Sequence, residues 1–275
     1  MMRGGADRHR AGGPVFPPRW RGTGATWRHW PHTMSNEYNL ETTVRFSEVD
    51  RDQVMLLPAL FQLLQEAAIR HADMYGVGAR GIAERGTSWV LNRLAVGLTR
   101  YPRRDETLRV ETWSTGVRGF RGYREFRLFS GAEQLLAGSS LWLWIDLRTR
   151  QLTRVPAELA ETYPVGGGGH VPYQPDLEKR RFVAPEVAAP ATPVTVRYSD
   201  CDANSHVNNT AYYDYLQTAL ARQGRSAHPL KLELQFLREI PPRTDTVQVR
   251  LEPRGDATAF AVGGGEADYA VGEVA

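Results

Sequence analysis

The segment TVRFSEVDRDQVMLLPALFQLLQEAA at residues 43–68 returns without a gap as TVRYSDCDANSHVNNTAYYDYLQTAL at residues 195–220. With Arg45 placed on Arg197, the copies share Thr43/Thr195, Val44/Val196, Ser47/Ser199, Asp50/Asp202, Ala59/Ala211, Leu64/Leu216, Gln65/Gln217 and Ala67/Ala219. A strand–turn–helix written twice limits the chain to folds assembled from two similar modules. The copies are not equal. Asn204 faces Asp52 and His206 faces Val54, so the first copy keeps the scaffold and the first acid but has no imidazole. That asymmetry points to a fused pseudo-dimer with one working site.

In the first module, ETTVRFSEVD alternates like a strand, Pro58 suits the first turn of a helix, and LLPALFQLLQEAAIRHA runs helical to about Ala72. Leu57, Leu60, Phe61, Leu64, Ala67 and Ala68 spread over much of that helix, which is therefore buried on most sides. Strands are predicted at Ser88–Thr99, Thr107–Thr115, Tyr123–Ser130 and Gly138–Asp146. One strand, a long central helix and four more strands make an α+β fold, an antiparallel sheet wrapped around a helix in the hot-dog manner. Two such modules give a double, or tandem, hot-dog.

The second module repeats the plan, with strands predicted at Leu230–Glu239, Thr246–Glu252 and Thr258–Gly263. Its final strand is expected to be short or frayed, because Ala275 aligns with Trp142. The expected organisation is an extension over 1–35, an N-terminal domain over 36–152, a linker over 153–192 and a catalytic C-terminal domain over 193–275. Prolines and the run Gly166–Gly169 mark the linker as flexible; no Lys-Ser/Thr follows the glycines, as a phosphate loop would need.

The net charge of +3 misleads, because residues 1–33 alone carry +5, leaving −2 for residues 34–275. That removes the electrostatic argument for a nucleic-acid partner. The N-terminal run has no apolar core of a secretory signal. Its arginines and scarcity of acids resemble an organellar transit peptide, but Gly and Pro spoil an amphipathic helix. The expectation is a disordered extension or an over-called start before an initiator at Met34. No apolar run is long enough for a membrane span. The single cysteine, Cys201, excludes an intramolecular disulfide and suits a cytoplasmic compartment.

Asp202, Asn204 and His206 precede the second helix. An extended backbone there would turn all three to one side. Asn208 or Asn209 is placed to cap that helix. The N–H groups of Asn208, Asn209 and Thr210 form a donor set for a developing oxyanion. The same string also serves as ordinary turn and cap residues, and the lost echo in the first copy tips the balance toward function. Cys201, next to Asp202, points away and packs. No third strong ligand accompanies Asp202 and His206, so neither a metal nor another cofactor is expected.

At these residues the chain resembles the acyl-acyl carrier protein thioesterases, tandem hot-dog enzymes of plants and bacteria. The resemblance rests on VRYSDCDANSHVNNTAYYDYL, FSEVDRDQVMLLPALFQLLQEAA, TSWVLNRLAVGLTRYPRRDETLRVETW and LWLWIDLRTRQLTRVP, and covers most of residues 38–252. It implies that Asp202, Asn204 and His206 are catalytic, joined by Glu239 from the segment LQFLREIPP. The family's Cys in that segment is replaced by Ile240, which excludes a thiol mechanism through that position. The family also implies that the first module supplies the acyl pocket; Leu60, Leu64, Trp89 and Leu91 are read as its lining, though each is equally explained as core. Its substrate partner would be an acyl carrier protein bearing a fatty acyl chain. Arg118, Arg121 and Arg124 would face that acidic partner or be solvated turn residues. The resemblance leaves room for a homodimer. An acyl-CoA thioesterase with the same residues, or a non-catalytic acyl-binding module, are the competing readings.

Overall fold

The computed structural model describes residues 36–76, 78, 86–202, 206–241, 243–265 and 267–275. The 1–35 extension and Asn204 lie outside the described residues. Strand β1 (Glu37–Thr43) ends before Phe46–Glu48, which tighten into a 3-10 turn. The predicted strand is therefore cut short. Arg45 N–H donates to Glu48 Oε2 at 2.8 Å, a local bond that competes with sheet pairing.

Helix α1 (Leu57–Met74) buries Leu57, Leu60, Phe61, Leu64, Ala67, Ala68 and His71, a stripe at three- and four-residue spacing, with Pro58 in its first turn. Strands β2 (Thr87–Leu98), β3 (Thr107–Arg118), β4 (Arg121–Ser130) and β5 (Glu133–Asp146) follow. β5 starts at Glu133, well before the predicted Gly138, because Gly131 takes φ +58° and closes a tight hairpin.

The second half holds β6 (Ala191–Thr195), a 3-10 turn at Tyr198–Asp200, and a helix at Ala211–Arg222. Then come β7 (Lys231–Phe236), β8 (Thr246–Arg254), β9 (Ala257–Gly264) and β10 (Ala267–Val274). One antiparallel sheet of ten strands runs β1-β3-β4-β5-β2-β7-β10-β9-β8-β6. Read outward from the central β2–β7 seam, each half has the same order. The last strand is short, 8 residues against 14 in β5. It is not frayed: β10 pairs with both β7 and β9, and Ala275 exchanges backbone bonds with Lys231.

The connector between the halves contains helix α2 (Ala157–Thr162), which makes the helix at Ala211–Arg222 α3. This stretch, expected to be flexible, is packed. Val155, Leu159 and Tyr163 bury against Trp144, and Leu177 against Ala95 and Leu141. Gly167 lies at φ +88° where a Cβ would strike the Trp113 indole, and its N–H donates to Glu37 Oε1 at 3.0 Å. Gly166 and Gly167 thus form a fitted corner of the connector, whereas a Cβ at Gly168 or Gly169 would meet nothing within 4 Å.

Helices α1 and α3 lie against each other, with Phe61 and Tyr213 stacked at a centroid separation of 3.8 Å and 16° between planes. α1 packs on β1 and β3, and α3 on β6, β8 and β9. The β2–β7 pairing runs only from Gly97/Lys231 to Arg93/Gln235, where a bulge in β2 interrupts the ladder. Beyond it, residues 88–92 and 236–239 line a cavity instead of pairing with each other.

Candidate active site

Two backbone contacts at the turn before each helix recur in both copies of the sequence repeat. In the first half Asp50 N–H donates to Val54 O at 2.9 Å, and Val49 bridges Met55. In the second, Asp202 N–H donates to His206 O at 2.9 Å, and Cys201 bridges Val207. Asp202 and His206 are therefore neighbours across a chain reversal. The expectation that alternation gathers Asp202, Asn204 and His206 on one side falls in part on Asn204, outside the described residues; of the three, Asp202 and His206 are joined by the 202–206 hydrogen bond. Both residues still line one cavity. Cys201 packs against the core, as its position implied.

Glu239 reaches the same cavity from the segment after β7. The hydroxyl of Tyr212, on α3, holds that segment on both sides of Glu239: it accepts from Ile240 N–H at 3.2 Å and donates to Arg238 O at 3.4 Å. Burial raises the Tyr212 phenol well above its usual value, partly offset by the Ile240 N–H, so it remains a donor. Ile240 is fully buried.

His206 Nε2 lies 3.4 Å from Glu239 Oε2. Arg150, which sequence reasoning missed, completes the group. Its Nη1 donates to Glu239 Oε1 and Oε2 at 2.9 and 3.2 Å, and its Nη2 approaches His206 Nε2 at 3.0 Å. Arginine offers only donors, so this contact requires Nε2 to be the acceptor of a neutral imidazole. Arg150 sits at φ +60° in the turn after β5, closed by Arg150 N–H to Asp146 O at 2.8 Å. Nothing in the run LRTR marks one arginine over the other; the turn geometry alone selects it.

Of the three expected oxyanion donors, two are already engaged. Asn208 N–H donates to Asp200 O at 2.8 Å, and Thr210 N–H to Asn208 Oδ1 at 2.9 Å. The expected cap by Asn208 or Asn209 does not form: Thr210 is the N-cap and receives no side-chain cap bond, while Asn208 closes a turn onto Thr210 just before the helix. Among the described residues no hydrogen bond engages Asn209 N–H. The pseudo-symmetric position is informative. Leu57, the counterpart of Asn209, donates its N–H to Gln217 Oε1 at 3.1 Å. Gln65, the counterpart of Gln217, lines the cavity with its Oε1 unpartnered, as does Asn209 with its Oδ1. The lock is closed at one helix start and open at the other.

The cavity measures about 620 Å³. Trp89 and Leu91 line it, together with Trp142, Leu143 and Phe236. Leu64 borders a small adjoining space instead, and Leu60 is fully buried in the core away from both. Of the three arginines expected outside, Arg118 is exposed and Arg121 half-buried over the Phe120 ring, whereas Arg124 is buried and lines the cavity. Among the described residues no three of His, Cys, Asp and Glu are grouped to hold a metal ion.

Comparison with known proteins places these features in a family. Residues 35–163 match the model of the acyl-ACP thioesterase N-terminal domain, and residues 185–262 that of the C-terminal domain. A dodecanoyl-[acyl-carrier-protein] hydrolase, chloroplastic, of Cinnamomum camphora is 30% identical over 208 residues, 71% of this chain and 54% of that protein. A palmitoyl-acyl carrier protein thioesterase, chloroplastic, of Gossypium hirsutum is 28% identical over 209 residues, 72% of this chain and 50% of its own length. The chain therefore spans about half the length of the curated relatives it matches. Among solved structures, the 12:0-ACP thioesterase of Umbellularia californica superposes with TM-score 0.76 at 22% identity, covering 88% of this chain and 97% of that one. An acyl-ACP thioesterase of Bacteroides thetaiotaomicron gives TM-score 0.72 at 20% identity, covering 87% and 97%. These two likenesses speak to the fold.

Proposed function

The chain belongs to the acyl-ACP thioesterase family, and from that premise we propose that it hydrolyses acyl-acyl carrier protein thioesters to a free fatty acid and the carrier thiol. The observation that carries this reading is the His206–Glu239–Arg150 group at an apolar cavity large enough for an acyl chain. We read the two halves as a tandem hot-dog, in which the first supplies most of the acyl pocket and the second the catalytic groups. The lone cysteine suits a reducing compartment such as the cytoplasm, while the relatives above carry chloroplastic names. Among the described residues no helix is long and apolar enough to cross a membrane.

In the proposed mechanism Arg150 swings away from Nε2 and a water molecule takes its place. His206 Nε2 removes a proton from that water as its oxygen attacks the thioester carbonyl, and Glu239 stabilises the imidazolium that forms. Asp202, across the turn from His206, orients the water. The carbonyl oxygen becomes anionic beside Asn209 N–H, the donor left open where Gln65 does not reach. Collapse of the tetrahedral intermediate breaks the C–S bond, and the imidazolium returns its proton to the departing thiolate. Asn204 adds an orienting amide if it acts as the family resemblance implies.

The test is free-thiol release from acyl-carrier protein and acyl-CoA side by side. The carrier-bound thioester is expected to be preferred, and His206→Ala and Asp202→Ala each to lose about a hundredfold or more in kcat with unchanged unfolding. Near-normal turnover by both variants would remove the assignment; equal or greater rates on acyl-CoA would move it to that carrier.

A further inference from the structure

The acyl cavity has a second polar end. Arg124 on β4 is 5% exposed and lines the cavity, yet among the described residues none of its partners is a carboxylate. Its Nη1 contacts Thr112 Oγ1 at 2.9 Å and His71 Nδ1 at 3.0 Å, and its guanidinium lies 5.7 Å from the centre of the Tyr163 ring. The Tyr163 hydroxyl also meets His71 Nδ1, at 3.2 Å. With two donors converging on Nδ1, the His71 proton resides on Nε2, and the imidazole is neutral. Burial, helped by the Arg124 charge, holds His71 down at about 3. Burial also lowers Arg124, to about 9, which leaves it cationic at neutral pH. The adjacent acid, Glu125, accepts from Ser139 Oγ at 2.7 Å and Tyr173 N–H at 2.9 Å, on the opposite face of β4.

A buried cation surrounded by neutral dipoles is costly, and an anionic ligand offsets that cost. Among the described residues no hydrogen bond engages Arg124 Nε or Nη2. Between Arg124 and the His206–Glu239 pair the cavity wall is mostly apolar, with Trp89, Leu91, Trp142 and Phe236. β4 and β7 are separated by β5 and β2, three strand spacings or roughly 14 Å across the sheet. The register sets Arg124 level with Leu234, five residues before Glu239, so the two polar ends are offset along the strands as well. A hydrocarbon chain with a polar group at each end matches that layout.

We propose that Arg124 forms a subsite for the distal carboxylate of an acyl chain, making ω-carboxyacyl thioesters a substrate class of this protein. The inference rests on the thioesterase reading and names the far end of its substrate. The carboxylate takes the free edge of the guanidinium, while Thr112, His71 and Tyr163 fix the other edge.

The test uses synthetic carrier-bound thioesters of equal length ending in methyl, hydroxyl or carboxylate. The carboxylate-ended substrate is expected to show kcat/KM about tenfold above the methyl-ended one, and Arg124→Met to bring that ratio to one or below. Equal or faster turnover of the methyl-ended substrate overturns the subsite and leaves the thioesterase reading standing. Equal preference for the hydroxyl and carboxylate ends overturns the role of charge. Should Arg124→Met not fold, or no thioester be cleaved, calorimetry on the unaltered protein decides. Tighter binding of a free α,ω-dicarboxylate than of a monocarboxylate of the same length upholds the subsite, and equal binding overturns it. A lack of cleavage alone counts against the hydrolase reading.

Discussion

At the scale of single residues, Arg150 couples Glu239 to the His206 imidazole through a forked contact that one point charge does not reproduce. Arg150→Ala is expected to lower kcat by about tenfold through loss of Glu239 orientation, with little change in KM, and Arg150→Lys to restore only part of it. Steady-state kinetics with carrier-bound substrate measures both; full restoration by lysine would mean that charge alone matters. That Asp202, His206 and Glu239 meet at one cavity was foreshadowed in the sequence, because one copy of the repeat retained what the other lost and because the family resemblance named them. Arg150 and Arg124 were not. A positive-φ turn brings in the first, and the second faces inward from a strand whose other arginines face out. Neither fact leaves a mark in residue type.

At the scale of elements, the connector is tied to the sheet by a buried acid. Glu125 on β4 accepts from Tyr173 N–H, and Ser139 Oγ accepts from the next residue, Gln174, at 2.8 Å. Desolvation raises Glu125 to about 7, against these hydrogen bonds. Its folded state thus holds a proton that the unfolded chain, titrating near 4.5, has released, so this residue makes stability fall as pH rises from about 4.5 to 7. His71 acts with the opposite sign: folded at about 3 and unfolded at 6.5, it makes stability fall as pH drops through that window. The two oppose each other between about 4.5 and 6.5. Urea unfolding of Glu125→Gln is expected to show stability rising with pH across that range more steeply than in the parent; identical profiles would count against the buried charge. The linker's prolines and glycines were read as flexibility, since composition records turn residues but not the apolar side chains between them that find a surface.

At the scale of the whole molecule, two halves share one sheet through β2 and β7 and one helix pair through Phe61 and Tyr213. Gln217 also reaches across, from α3 to the first N–H of α1. Unfolding is therefore expected to be a single transition, and Phe61→Ala to shift it by about 3–5 kcal/mol with an unchanged denaturant slope. Chemical denaturation followed by tryptophan fluorescence and circular dichroism checks this; two separated transitions would mean that the halves fold independently. The sequence by itself determined the duplicated plan, the α+β class, most strand positions and the half that carries the imidazole, because repeats, apolar periodicity and turn residues are local properties of a chain. Only the tertiary structure decided where pairing at the β2–β7 seam stops to leave a cavity, which helix start stays unlocked, and which arginines turn inward. Those outcomes depend on register and packing between segments far apart in the chain, where the same residue types serve equally well at the surface or in the site.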